Sequence, residues 1–195
     1  MANFGEYDEI ALKRVKDFTI QKYNEVIAMA ASPVLEIGPS VLEGAKNSAV
    51  FSENTKWFID GRSEFQKLSK DYFTLDIDPT VGADFTGSIE DDVTAYVKGT
   101  FNSVVCFSVL EHCKNPFKVV ESIHKILNPG GTAYFLTPWD LRFHGPRPDC
   151  WRISDDGYEA LLGSLFSIKL IEKFKNPNRP LSPHALFVIA TARKN

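Results

Sequence analysis

At 195 residues, 44% hydrophobic and 12% aromatic, the chain is long enough for one domain, residues 1–195, with a full core. A formal net charge of −3 with scattered Lys and Arg excludes a basic nucleic-acid surface as the main partner site. Three cysteines, Cys106, Cys113 and Cys150, form no C-x-x-C pair, so neither a disulfide framework nor a structural zinc site is expected, and reduced thiols in a cytoplasmic setting are.

The opening MANFGEYDEI lacks an apolar signal-peptide core, and no stretch approaches the roughly eighteen apolar residues of a membrane span. From Glu6 to about Ala31 the apolar residues Val15, Phe18, Ile20, Tyr23, Val26 and Ile27 fall largely on one stripe, which predicts a helix. That helix, within residues 1–31, would serve as a cap or lid, or pack on the sheet. Ser32-Pro33 ends it. Val34 to Ile37 reads as a short buried strand. Residues 40–70 show no clean period, apart from a helical stretch at Ser63 to Ser69. Tyr72 to Ile77 (YFTLDI) is rich in β-branched and aromatic residues and predicts a strand. Asp78-Pro79 turns the chain; a short strand at Ala83 to Thr86 and a helix at Asp91 to Val97 follow.

Ser103 to Phe107 (SVVCF) is a third buried strand. Asn115-Pro116 opens a helix whose apolar side is read as Phe117, Val120, Ile123, His124 and Leu127. Asn128-Pro129-Gly130-Gly131 stops it, and Thr132 to Leu136 is a strand. Ser154 caps a helix to about Leu162. Phe166 to Phe174 and Ala185 to Thr191 complete the strands, joined by a turn with Pro177, Pro180 and Pro183. The alternation predicts an α/β fold with a mostly parallel sheet, helices on both faces and an antiparallel edge.

Ligands of open α/β sheets bind beyond the carboxyl ends of the strands. There the chain places Glu36-Ile37-Gly38-Pro39-Ser40, then Asp76-Ile77-Asp78, then Ser108-Val109-Leu110-Glu111-His112, then Thr137-Pro138-Trp139. Gly38 lets backbone approach a ligand, and Asp76 can accept hydrogen bonds from a ribose diol. Asp78, on the same face, reads instead as a turn acceptor. A dinucleotide site would need G-x-G-x-x-G with an acid ~20 residues on. One glycine is present and Asp76 lies too far away. Glu36 would also repel a pyrophosphate and suits a cationic ligand better.

These blocks, VLEIGPS, TLDIDP, FNSVVCFSVLEHCKNPFKVVESIHKILNPGG and FLTPW, resemble the class I S-adenosylmethionine-dependent methyltransferases across roughly Val34 to Arg152. The resemblance implies a Rossmann-like, seven-stranded sheet with one reversed edge strand. It implies S-adenosylmethionine as cofactor and S-adenosylhomocysteine as product. The implied cofactor residues are Glu36, Gly38, Pro39, Ser40, Asp76, Ile77, Ser88, Ile89, Phe107, Ser108 and His112. The sequence departs from the family where later loop glycines give way to Pro39 and Ser40, and where Ser88 stands for an adenine-bonding acid.

The segment HGPRPDCWR joins a titratable imidazole, a carboxylate, two guanidinium groups and a ring face. It reads as the acceptor side, with Trp139, Phe143, Arg147, Trp151 and Arg152 against a polar, ring-bearing small molecule or sugar. His144 is the expected base for an acceptor hydroxyl, oriented by Asp149. The plainer alternative is a loop ordered by its own Asp149–Arg152 pair. Glu111, beside His112, reads as a backbone-bonding group, and no metal is expected. The function expected is methyl transfer to oxygen of a small-molecule or glycan acceptor. A non-catalytic cofactor-binding or partner-binding module with the same fold is the alternative.

Overall fold

The structure is a computed structural model that describes residues 4–39, 61–176 and 182–194, with side chains from residue 13 onward. In chain order its elements are α1 (Phe4–Met29), β1 (Val34–Ile37), α2 (Gly61–Lys67), β2 (Tyr72–Asp76), β3 (Phe85–Thr86), β4 (Phe101–Phe107), α3 (Pro116–Ile126), β5 (Leu127–Pro138), α4 (Asp155–Leu162), β6 (Phe166–Phe174) and β7 (Ala185–Ala192). Ser40, Pro177 and Pro180 lie outside the described residues.

The strands form one seven-stranded sheet, ordered β3-β2-β1-β4-β5-β7-β6. β1 to β5 run parallel, so their carboxyl ends share one rim of the sheet. The order reverses direction at β1, between β2 and β4, which is the switch point where such sheets bind ligands. β7 runs antiparallel to both neighbours, and β6 closes the sheet beyond it. The antiparallel edge is therefore a pair of strands in which the penultimate one is reversed.

Strand alternation sends the two side-chain sets to opposite layers. Leu35, Ile37, Val104, Cys106, Ala133 and Phe135 meet α3 and α4 in one core. Val34, Val105, Phe107, Tyr134 and Leu136 meet α1 and Phe65 of α2 in the other. The α1 stripe Val15, Phe18, Tyr23, Val26, Ile27 supplies that second layer, as its period requires.

Four local readings change. The helix expected over Asp91 to Val97 is a single turn of 3-10 helix, Val93–Ala95, because Asp92 Oδ1 takes the Thr94 hydroxyl at 2.7 Å and closes the turn locally. The strand expected from Ala83 is only Phe85–Thr86. The Asn128-Pro129-Gly130-Gly131 stop does end α3, but it lies inside β5, which begins at Leu127. On α3, Phe117 is exposed and Val119 and Ile126 are buried with Val120 and Ile123. The helix starts at Pro116 with Asn115 Oδ1 accepting from Lys118 N, so the buried stripe is set one position away from Phe117.

Candidate active site

Glu36 ends β1 on the α1 side and is buried. Its Oε2 accepts hydrogen bonds from the hydroxyls of both Tyr23 (α1) and Tyr72 (β2). Burial, and then the Glu36 charge, push both phenols well above their ordinary range. Gly61 seals this trio, since a Cβ there would stand 2.1 Å from the Tyr23 hydroxyl. The carboxylate that the sequence aimed at a cationic ligand thus ties α1, β1 and β2 together. The two tyrosines are the partners that sequence reasoning missed.

Gly38 follows β1 with φ +65°, and a Cβ there would meet Val109 Cγ2 at 2.8 Å. The room it makes is taken by Val109 of the loop after β4, which draws the two loops together. Gly38→Ala should destabilise the fold by about 1–2 kcal/mol from the left-handed backbone alone. Urea unfolding would read that loss.

Asp76 lies half-buried at the end of β2, with Oδ1 accepting from Asp78 N at 2.8 Å, and burial raises its carboxyl above the usual value. Asp78 caps its own turn through the Thr80 amide and hydroxyl, as expected. Ile77, beside Asp76, is 70% exposed, an apolar side chain left bare on the rim. Ser88 accepts the Glu90 amide at 3.3 Å, and Ile89 is buried in the α3-side core. Glu90 Oε1 takes the Asn115 amide at 2.6 Å, linking this loop to the start of α3.

After β4 the chain reaches Ser108, exposed and at φ +53°, a left-handed conformation rare for a residue with a Cβ. Phe107, by contrast, points into the α1 layer, edge-on to Tyr23 at 5.9 Å. Pro39 is buried. An exposed apolar side chain next to a strand-end acid, with a strained, exposed Ser108 two strands away, fits a nucleoside lying across the ends of β1, β2 and β4. Glu36 and Phe107 are buried on the α1 side of those strand ends.

The segment 139–152 folds back on the Leu110–His112 turn. Cys150 N and Trp151 N donate to the Glu111 carbonyl at 2.7 and 3.3 Å, and Trp151 Nε1 donates to the Cys113 carbonyl at 2.8 Å. Arg152 bonds both oxygens of Asp149, at 2.5 and 2.9 Å, and also the carbonyls of Leu141, Arg142 and Trp151. The guanidinium holds the Asp149 carboxyl well below the usual range. Asp149 Oδ2 in turn takes the His144 amide at 2.8 Å and lies 3.4 Å from His144 Nδ1. So Asp149 and Arg152 order the loop, and Asp149 also holds the His144 amide and flanks its ring.

His112 and His144 meet with ring centroids 5.1 Å apart. Burial lowers His144 below the ordinary imidazole value. Between them lies Glu111, fully buried, whose carboxyl burial pushes up to about 8. The Glu111 main-chain amide and, more weakly, the Ser108 hydroxyl come near enough to favour its ionised form, but neither reaches hydrogen-bonding geometry, and neither Glu111 oxygen has a hydrogen-bond partner among the described residues. The sequence reading of Glu111 as a backbone-bonding group holds for its main-chain carbonyl only. Around this cluster Trp139 is partly buried at the end of β5, Trp151 is 40% exposed, and Phe143 is exposed with Arg147 stacked 4.0 Å above its ring.

Residues 44–173 match the family described as a methyltransferase domain, two thirds of the chain. The chain belongs to that methyltransferase family. The fold agrees. The N-methyltransferase NodS from Bradyrhizobium japonicum superposes with a TM-score of 0.59 at 13% identity, covering 91% of this chain and 98% of that one. The glycopeptide N-methyltransferase MtfA, complexed with S-adenosylhomocysteine, superposes with a TM-score of 0.57 at 12% identity over 88% of this methyltransferase and 87% of its own chain. Two curated proteins described as ubiquinone biosynthesis O-methyltransferase are similar over short stretches. The one from Azotobacter vinelandii is 33% identical over 57 residues, 29% of this chain, and the one from Xanthomonas campestris is 30% identical over 61, 31% of this chain. The matched stretches span 25% and 26% of those relatives. NodS has also been solved in complex with S-adenosylhomocysteine, and that structure superposes, with a TM-score of 0.57 at 12% identity, on this methyltransferase. No helix among its described residues is long and apolar enough to cross a membrane.

Proposed function

We propose that this methyltransferase moves a methyl group from S-adenosylmethionine to an oxygen of a small-molecule or sugar acceptor. The observation that carries the reading is the docking of residues 144–152 on the turn after β4. It sets two imidazoles and a buried carboxylate at the rim where the cofactor of this class lies. The O-methyltransferase description of the two curated relatives supports oxygen over nitrogen.

Bound S-adenosylmethionine supplies an electrophilic methyl carbon on a positively charged sulfur. The chain has to hold it, align the acceptor and exclude water. In this reading Asp76 accepts from the ribose diol and Ile77 gives the base an apolar face. Gly38, Pro39, Ser88, Ile89, Ser108 and His112 shape the remaining walls. The acceptor lies against Trp139, Phe143, Arg147 and Trp151. Its hydroxyl faces the Glu111–His112–His144 cluster, whose unshared electron pairs draw off the proton. Asp149, fixed by Arg152, positions His144.

Asp76→Ala should weaken S-adenosylhomocysteine binding by about 1–3 kcal/mol through lost contacts to the diol. Calorimetry would read it. The decisive experiment offers labelled S-adenosylmethionine with phenolic, sugar and amine acceptors. Transfer to a hydroxyl supports the proposal, and transfer to amines alone moves the reaction to nitrogen. Tight cofactor binding with no transfer to any acceptor would favour a binding module.

A further inference from the structure

We propose that Glu111, His112 and His144 bind one divalent transition-metal ion, of the zinc or ferrous class, with an open ligand position toward the acceptor. The role given to that open position rests on the acceptor placement proposed above; the binding of the ion does not.

One donor atom from each of the three residues lies within 4.8 Å of the others. Glu111 Oε1 is 3.9 Å from His112 Nε2 and 4.0 Å from His144 Nε2. These distances are too long for hydrogen bonds, so the groups converge without bonding one another. The tautomers follow from the outer contacts. His112 Nδ1 meets the Pro148 carbonyl at 2.9 Å, and His144 Nδ1 meets the Arg142 carbonyl at 3.3 Å. A carbonyl only accepts, so each Nδ1 carries the hydrogen and each neutral ring turns an Nε2 lone pair inward.

Three lone-pair donors therefore face one point, and none supplies a hydrogen to another. The Glu111 side chain is 1% exposed, and both its oxygens lack a partner among the described residues. Buried polar atoms are ordinarily paired. A proton on Glu111 would not mend this, because either imidazole is too far to accept it. A cation between the three satisfies all of them at once.

The donor set selects the ion. Two imidazoles and one carboxylate are the ligands of open zinc and ferrous sites, whereas magnesium and calcium take oxygen. Tetrahedral zinc with bonds of ~2.1 Å sets its ligand atoms ~3.4 Å apart, so the two Glu111–imidazole spacings close by roughly half an ångström on binding, and the two imidazole nitrogens, within 4.8 Å of each other, by up to about 1.4 Å. The outer contacts are those a metal site needs. Carbonyls fix both Nδ1 hydrogens, and Asp149, clamped by Arg152, flanks the His144 ring. The His144 and His112 side chains keep 25% and 14% exposure, which leaves a side open for a fourth ligand. An acceptor hydroxyl bound there would lose its proton to solvent more readily. Its oxygen would then bond the methyl carbon while the carbon–sulfur electron pair returned to sulfur. The sequence carries no metal signature because the ligands come from two segments that meet only when the loop after β5 folds back.

The test titrates tag-free, chelator-stripped protein with zinc by calorimetry, with magnesium as control and cobalt as a spectroscopic probe. S-adenosylhomocysteine binding is measured in parallel with and without chelator. Expected are one zinc per chain at submicromolar affinity, a cobalt spectrum in the visible, and no magnesium heat. Glu111→Gln and His144→Gln should each weaken zinc at least about 100-fold, with near-ultraviolet circular dichroism unchanged. Absence of saturable zinc binding at micromolar concentration overturns the proposal. So does zinc binding undiminished in both variants, which would place the ion elsewhere. Methyl transfer that persists in chelator with no zinc bound overturns the role given to the open ligand position and leaves the methyl-transfer reading standing. Zinc bound without S-adenosylhomocysteine binding keeps the metal and sinks the methyl-transfer reading.

Discussion

His144→Ala should lower methyl transfer by about 10²–10⁴-fold and leave S-adenosylhomocysteine affinity unchanged. The side chain stands at the end of the rim proposed above for the acceptor, with Asp149 on one side of its ring and Glu111 on the other. None of the residues assigned to the ribose or the base touches it. Single-turnover transfer measured beside calorimetry separates the two effects. Equal turnover in variant and parent would remove His144 from the chemistry. A parallel loss of cofactor binding would mean that the segment reaches the donor pocket.

The largest expected loss of stability comes from Arg152→Ala. The Asp149 side chain has no exposure, and its ion pair is bidentate. Removing the guanidinium leaves a buried carboxylate with only the His144 amide and ring beside it. Breaking such a pair costs ~3–5 kcal/mol, and the low end applies here because Arg152 is itself 24% exposed. The same change frees the carbonyls of Leu141 and Arg142, so residues 141–149 should loosen first. Urea unfolding reads the total, and amide exchange across the loop reads where it falls. Arg152→Lys should recover little, since an ammonium cannot span both carboxylate oxygens.

The parallel frame was legible because its strands are apolar runs that end in Gly, Pro or acidic residues, a pattern the sheet imposes on sequence directly. α3 was legible from Asn115-Pro116, although its buried face was not. Phe117 is the bulkiest candidate there, yet the phase set by the cap turns it to solvent, which composition alone does not reveal. The site divides in the same way. Asp76 sits at a strand end and could be read from its neighbours. The partners of Glu36 could not be, because Tyr23 and Tyr72 reach it from two other elements and only the folded layers bring them together. Glu111 is the sharper case. Its neighbours in sequence suggest a local bond, and its isolation arises only when residues 139–152 close over it. Long-range burial of this kind leaves no periodic trace.

The way that segment is fastened bears on how acceptor choice could change. Its stem is riveted to the turn after β4 by Cys150 and Trp151 and closed on itself by the Asp149–Arg152 clasp, while Phe143, Gly145, Pro146 and Arg147 remain exposed at the tip. Tip and stem are thus separable for an engineer. If the acceptor lies where proposed, a library confined to positions 143 and 145–147 would redraw its pocket without loosening the anchor that holds His144, and the same separation would let divergent descendants of this chain trade acceptors while keeping one donor pocket.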